Sequence, residues 1–466
     1  MNVRDKYLEA AHTVTGSKFL FKIDGFSQLV DCGLFQGLKE NRLRNWEELP
    51  YDVARIDAVV LTHAHIDHSG YLPRLVRNGF AGPIYCTEAT EGLLHIMLLD
   101  AAKLQEEEAE FAKKKGYSRH RSPKPLFTTK DAKKVLTLLQ SKIYNQPFTI
   151  DDHIEILFKD AGHILGSAIV QILIKGENQQ KKIVLSGDLG RYDQPMLRSP
   201  AKVTEADILF VESTYGDREN TVRDIEELLA TKINTGLQRG GCILIPSFAV
   251  GRTQVLLYYL QKLQSEEKIP SIPIYVDSPM AISTTDLYQA YPDYHTLKAT
   301  EFKGPGIFDY PTIQYYRTQE SSINLNEVSN NAIIISASGM CTGGRILHHL
   351  YHRLGRKNDT LLFVGYQALG TRGRRILDGE PTSRIFGIEV KVKCVVDVIN
   401  GLSAHADQKE LHHWIGQLQE TPKMTFIVHG ETSSSLALAH HLRINKQWDN
   451  VYLPHYLESF ELFRGI

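Results

Sequence analysis

The stretch Ala58-Val59-Val60-Leu61-Thr62-His63-Ala64-His65-Ile66-Asp67-His68 passes from a β-branched apolar segment directly into three histidines and an aspartate. A short apolar run that stops at polar residues reads as a buried strand with its end at the lip of a sheet. On extended backbone His63, His65 and Asp67 project to one side by the period of two, and a turn into a following helix brings His68 round. Four imidazole and carboxylate donors then converge, a set that suits zinc. No cysteine lies in the stretch to close a thiolate site. One histidine here would read as a satisfied polar residue; the cluster does not.

Further donors follow apolar or small residues and precede a glycine within three positions: His163 in DAGHILGS, Asp188 in LSGDLG and His429 in IVHGE. Each alone is ambiguous, but together they supply what a second metal position would lack. Around them the first half of the chain reads as short strands, among them KFLFKI, SQLVDCG, GPIYCT, IEILFKDAG, AIVQILI, KKIVLSGD and ADILFVEST. So many strands predict stacked sheets. The longest helix is expected from Glu88 to Lys115, and SRHRSPKP after it reads as a basic linker.

From about Gly216 helices alternate with β-branched strands: GCILIP, IPIYVDS, NNAIIIS and TLLFVGY, with a helix RILHHLYHRLG between the last two. That alternation predicts parallel βαβ units. After about Gly387 short strands return in KVKCVVDVI and TFIVHG. The expected organisation is a sandwich domain over 1–215, an inserted doubly wound parallel α/β domain over 216–387, and completion of the sandwich by 388–466.

Composition sets the outer limits. The chain has 466 residues with 42% apolar and 23% charged residues, which excludes a disordered or fibrous protein. The formal charge is -1, so a polyanionic partner must be held by local charge. Five scattered cysteines argue against a disulfide framework, and no apolar run approaches the roughly 18 residues of a membrane span. A soluble cytoplasmic protein with no membrane association is expected.

HAHIDH, the lone His163 and Asp188 resemble the metallo-β-lactamase superfamily, an αββα sandwich with metals at its edge. VESTYG around Glu212, GLSAHAD around His405 and VHGE around His429 are similar to the extra motifs of its β-CASP nucleases. PSFAVGRTQ, SASGMCTGGR and VGYQALGTRGR resemble the inserted domain of the cleavage-and-polyadenylation endonuclease branch and its bacterial relatives. The resemblance implies two zinc ions per chain, one on His63, His65 and His163, the other on Asp67, His68 and His429, with Asp188 bridging them. It also implies that Asp31 orients ligand histidines, and that RNA rather than DNA is the substrate, because RNA-acting members carry a histidine at the place of His429.

The chemistry agrees. Hydrolysis of a phosphodiester needs a strong nucleophile at neutral pH and a positive field, which paired zinc ions provide. The departing oxygen needs a proton, for which His405 is the candidate and Glu212 its partner, while Asp67 completes the catalytic set. Single-stranded RNA is expected in the cleft between the domains, held by Ser247, Arg252, Ser338, Arg345, Tyr366 and Arg372. For Phe248 and Tyr366 a core position is expected ahead of base stacking. The expected activity is zinc-dependent endonucleolytic cleavage, and a homodimer is compatible with it. Alternatives are a 5′-exoribonuclease, a small-molecule metallo-hydrolase and a non-catalytic scaffold.

Overall fold

Alternation along Ile154–Asp160 puts Ile154, Ile156 and Phe158 on one face, and the same period in Ala168–Lys175 buries Ala168, Val170, Ile172 and Ile174 beside them. These side chains meet Phe19, Phe21, Val30 and Val60 of a second sheet, and the shared core is what stacks the two sheets. The computed structural model describes residues 2–8, 13–115, 123–177, 179–220, 224–302, 306–368 and 370–466. SRHRSPKP therefore lies largely outside the described residues.

One sheet has the strand order Ser459–Phe463, Val3–Tyr7, Phe19–Ile23, Phe26–Val30, Ala58–Val60, Ile84–Thr87, Leu139–Lys142. The other runs Val451–Tyr452, Met424–Val428, Ile208–Glu212, Gln180–Leu185, Ala168–Lys175, Ile154–Asp160, Phe148–Asp151. Helix Glu88–Lys115 packs on the first at Ile84–Thr87 and Leu139–Lys142. On the outer face of the second, Ile169, Val184, Leu209 and Ile427 take up Leu411 and Trp414 from helix Gln408–Ile415 and Leu438 from helix Thr432–His440. This is an αββα sandwich. Among the described residues no helix is long and apolar enough to cross a membrane, and all five cysteines are buried and free.

The chain divides into two compact units, Met1–Glu219 with His405–Ile466, and Asn220–Ala404. The second is built on a six-stranded sheet in the order Ile313–Tyr315, Ile274–Val276, Ile333–Ser336, Ile243–Pro246, Thr360–Phe363, Val395–Val398, with every pairing parallel. Helices such as Arg252–Ser265 and Ile346–Arg353 connect these strands, as a doubly wound domain requires.

The expected boundary at 387/388 is corrected to 404/405. Val395–Val398 does not return to the sandwich; it pairs with Thr360–Phe363 and extends the inserted sheet. Its short β-branched run suits either sheet, and only the open edge of Thr360–Phe363 decides. The sandwich is completed instead by Met424–Val428, parallel to Ile208–Glu212, and by Ser459–Phe463, antiparallel to Val3–Tyr7.

Candidate metal centre

Every candidate donor leaves the C-terminal end of a strand or lies in the turn after it. Asp31 follows Phe26–Val30, His63 to His68 follow Ala58–Val60, His163 follows Ile154–Asp160, Asp188 follows Gln180–Leu185, Glu212 ends its strand and His429 follows Met424–Val428. Phe26–Val30 and Ala58–Val60 are parallel, as are Gln180–Leu185, Ile208–Glu212 and Met424–Val428. Ile154–Asp160 shares the direction of Gln180–Leu185 because both pair antiparallel with Ala168–Lys175. Within each sheet the donors therefore share one edge. His65 caps the short helix Ile66–Ser69, which carries Asp67 and His68.

Two local features make the convergence possible. A Cβ on Gly33 would lie 1.5 Å from the Asp67 carbonyl oxygen, so only glycine lets the turn after Asp31 approach the histidine loop this closely. Asp31 and His429 themselves adopt positive φ, 58° and 48°. Left-handed backbone costs a side-chain-bearing residue about 1–3 kcal/mol and persists where surrounding structure enforces it.

At the first group, His63 Nε2 and His65 Nδ1 are 3.1 Å apart and His163 Nε2 and His65 Nδ1 3.2 Å. Asp188 Oδ2 lies 3.5 Å from both His63 Nε2 and His163 Nε2. Edges of that length belong to a tetrahedron whose vertices lie about 1.9–2.1 Å from its centre, the range of zinc–nitrogen and zinc–oxygen bonds. The second group joins Asp67, His68 and His429, with His429 Nε2 3.9 Å from Asp67 Oδ2 and 3.6 Å from Asp188 Oδ1. His68 Nε2 lies 3.2 Å from Asp188 Oδ1, and neither atom has a hydrogen-bond partner although both are buried. A cation between them satisfies both, and Asp188 faces one group with each oxygen. The donors fit a pair of metal ions.

Electrostatics point the same way. Burial pushes the His63 and His163 imidazoles well below the ordinary histidine range and His65 down to about 4, so these three present neutral nitrogens. His68 runs opposite: burial opposes its charge, but the Asp188 and Asp31 carboxylates hold it well above that range. A proton there occupies the place of a cation. Burial likewise opposes the charge on Asp188, and His429, His68 and His63 hold its carboxyl well below the carboxylate range.

The surrounding hydrogen bonds set the rings. Asp31 accepts from the Thr62 backbone N–H and from Thr62 Oγ1, both at 2.8 Å, and lies 2.8 Å from His68 Nδ1. Because Thr62 donates to Asp31, its oxygen is left to accept from His63 Nδ1 at 3.0 Å, which frees His63 Nε2 as a ligand. Ser17 Oγ stands 2.9 Å from His429 Nδ1 and does the same for that ring. Sequence reading missed Ser17, which lies 412 residues from its histidine and in no motif. Thr62 lies in the histidine stretch, but only these contacts show its role.

His405 lies beside the first group. Its Nδ1 is 3.4 Å from Glu212 Oε1 and 3.9 Å from Asp188 Oδ2, with the side chain 21% exposed. Burial disfavours its charge, and the Glu212 carboxylate overrides this and raises its pKa. Glu212 is fixed by the Leu189 N–H at 2.6 Å and the Thr214 N–H at 3.2 Å.

The residues expected to hold substrate lie in the second unit, after strands of its parallel sheet. Most of their polar groups are already engaged there, although the buried Arg372 Nε has no hydrogen-bond partner. Arg345 donates to Asp277 Oδ1 at 2.7 Å and to the Tyr316 and Arg317 carbonyls at 2.8 and 2.7 Å. Arg372 donates to the Cys341 and Arg384 carbonyls at 2.6 and 3.2 Å, and Arg252 to the Val364 carbonyl. Ser338 Oγ accepts from the Thr342 N–H at 3.1 Å, and buried Ser247 accepts from Thr253 Oγ1 at 3.1 Å. The core expectation for Phe248 and Tyr366 is corrected, since both are exposed, 38% and 36%. They sit on loops past the strand ends, where the sheet no longer covers them.

A sandwich edge with buried neutral imidazoles and carboxylates at tetrahedral spacing defines a metal-dependent hydrolase. Residues 16–232 match the Metallo-beta-lactamase superfamily, residues 253–376 the Beta-Casp domain, and residues 389–454 the Zn-dependent metallo-hydrolase RNA specificity domain. The chain is 38% identical over 445 residues to ribonuclease TTHA0252 of Thermus thermophilus, covering 94% of this chain and 95% of that protein. It is 30% identical over 475 residues to transcription termination factor FttA of Methanocaldococcus jannaschii, covering 99% of this chain and 72% of the relative. The chain belongs to the β-CASP nucleases of the metallo-β-lactamase superfamily. A solved protein of unknown function from Enterococcus faecalis shares the fold alone, with TM-score 0.55 and 14% identity over 99% of this chain and 100% of that one.

Proposed function

We propose that this chain is a zinc-dependent ribonuclease that cuts within single-stranded RNA. The carrying observation is the pair of donor groups joined by the two oxygens of Asp188, beside the His405–Glu212 pair. When bound, paired zinc ions supply Lewis acidity toward phosphoryl oxygen and lower the pKa of a coordinated water to about 7.

The remaining work belongs to side chains. Asp31, Thr62 and Ser17 hold His68, His63 and His429 with one ring nitrogen outward and the other toward the donor groups. Glu212 at Nδ1 favours the protonated form of His405 and leaves its Nε2 to deliver a proton to the departing 3′ oxygen. A 2′-hydroxyl takes no part, so the expected ends are 5′-phosphate and 3′-hydroxyl. A flexible single strand suits an edge where Asp67 and His405 are partly exposed, each 21%, while His63, His163 and Asp188 are buried. RNA as substrate rests on the RNA specificity domain match at 389–454 and on the ribonuclease relative.

The test is zinc-loaded protein on end-labelled RNA, with products mapped to the nucleotide. Internal cuts with 5′-phosphates are expected. A ladder of mononucleotides from the 5′ end would replace endonuclease by exonuclease, and 2′,3′-cyclic phosphates would sink the mechanism.

A further inference from the structure

The contact between His405 and Glu212, 3.4 Å, is too long to fix the rotation of the imidazole by itself. The backbone is held: Gly190 and His405 form an antiparallel bridge, and the Ala406 N–H donates to the Leu189 carbonyl at 2.8 Å. The rings packed on the imidazole add to that constraint. His163 lies against it with centroids 4.4 Å apart. Tyr215 meets it from the turn after Glu212, with centroids 5.9 Å apart and planes at 81°. That near-perpendicular arrangement is one of the two favoured for aromatic pairs.

Tyr215 is clamped in turn. The Arg218 guanidinium stands 5.2 Å from the centre of its ring, a cation–π contact. Asp217 holds that guanidinium at 2.9 and 3.4 Å, and Ser434 Oγ donates to Asp217 at 2.8 Å. On the other side the Gln408 N–H donates to the Arg218 carbonyl at 3.0 Å, and Gln408 Nε2 to the Gly216 carbonyl at 2.9 Å. The turn is thus fastened to the starts of helix Gln408–Ile415, after His405, and helix Thr432–His440, after His429. Tyr215 is outside the candidate metal-ligand groups. Its ring is half-buried, and Arg218 is exposed.

We infer that Tyr215, set by Arg218, is a positioning residue for His405: its ring fixes the plane of the imidazole so that Nε2 is aimed at the departing oxygen. This rests on the reading of His405 as the acid. In that step water loses a proton to solvent and its oxygen bonds to phosphorus, the bond from phosphorus to the 3′ oxygen breaks, and the Nε2 proton passes to that oxygen; solvent then reprotonates the imidazole.

The experiment compares zinc-loaded full-length variants on end-labelled RNA and on bis(4-nitrophenyl) phosphate, whose leaving group needs no acid. Tyr215→Ala is expected to lower kcat on RNA about 10- to 100-fold, with KM and the nitrophenyl rate within about threefold, because misaimed general acid costs only the poor leaving group. Zinc content should stay that of the parent protein, and Tyr215→Phe should restore the rate. Adding Tyr215→Ala to His405→Ala should slow RNA cleavage no further. Equal losses on both substrates, loss of zinc, or an unchanged RNA rate in Tyr215→Ala overturns the inference. If His405→Ala itself loses both substrates equally, the acid reading has failed; if it discriminates and Tyr215→Ala does not, only the positioning role has.

Discussion

Two sets of loops leave the C-terminal ends of strands in this protein, and they use polar side chains in opposite ways. At the sandwich edge His63, His65, His163 and Asp188 turn their donors toward one another, and His68 Nε2 and Asp188 Oδ1 are buried without hydrogen bonds. In the inserted unit Arg252, Arg345 and Arg372 turn theirs onto carbonyls and a carboxylate of neighbouring loops. The first set suits a positive charge. The second binds its own loops together, and what remains outward there is aromatic: Phe248 and Tyr366.

The sharpest break of that contrast is Asp188→Ala. Removing the carboxylate that faces both groups should lower bound zinc from about two per chain and cut RNA cleavage by more than about 10³-fold. Metal analysis beside a cleavage assay checks both, and full retention of metal would end the bridging assignment.

Separating the two neighbouring histidines comes next. His405→Ala should keep its zinc and lose about 10²- to 10⁴-fold on RNA, with a much smaller loss on a nitrophenyl diester. His429→Ala should lose zinc at the second position and fall on both substrates alike. Zinc loss in the His405 variant would mean that the two roles have been exchanged.

A smaller effect is expected one step out from the donors. Thr62→Val removes the link from Asp31 to His63 and should weaken metal affinity about 10- to 100-fold, as outer partners of ligands usually do. Competition with a zinc chelator reads it; unchanged affinity would show that His63 needs no such support.

Smallest of all should be Arg345→Ala in the other unit. Asp277 is fully buried and would keep His349 and Ser322 as partners at 2.7 and 2.6 Å. The expected cost is about 1–3 kcal/mol of stability for the hydrogen bonds lost, seen in melting, with RNA affinity little changed. A large fall in RNA affinity at unchanged stability would turn Arg345 back into a substrate contact and erase the contrast.

Much of this was readable before the fold. Strands such as Phe19–Ile23, Ile154–Asp160 and Ala168–Lys175 carry continuous or alternating apolar residues, and helix Glu88–Lys115 has the expected bounds. Among the strands that escape the sequence pattern, Leu139–Lys142 and Phe148–Asp151 lie at sheet edges with half-buried, mixed side chains, where little apolar burial enforces a pattern. Val395–Val398 was recognised as a strand and assigned to the wrong sheet, since a side-chain pattern specifies a face but not a partner.

Residue type and local spacing carry the family and the chemistry of the candidate donors at the strand ends. Which atoms face one another was decided by tertiary structure alone. Ser17 finds His429 across 412 positions, Thr62 joins Asp31 to His63, and the arginines of the inserted unit meet carbonyls of loops that follow other strands. A hydrogen bond depends on distance and direction between particular atoms. Those are set only when the sheets stack and the turns at their edges close.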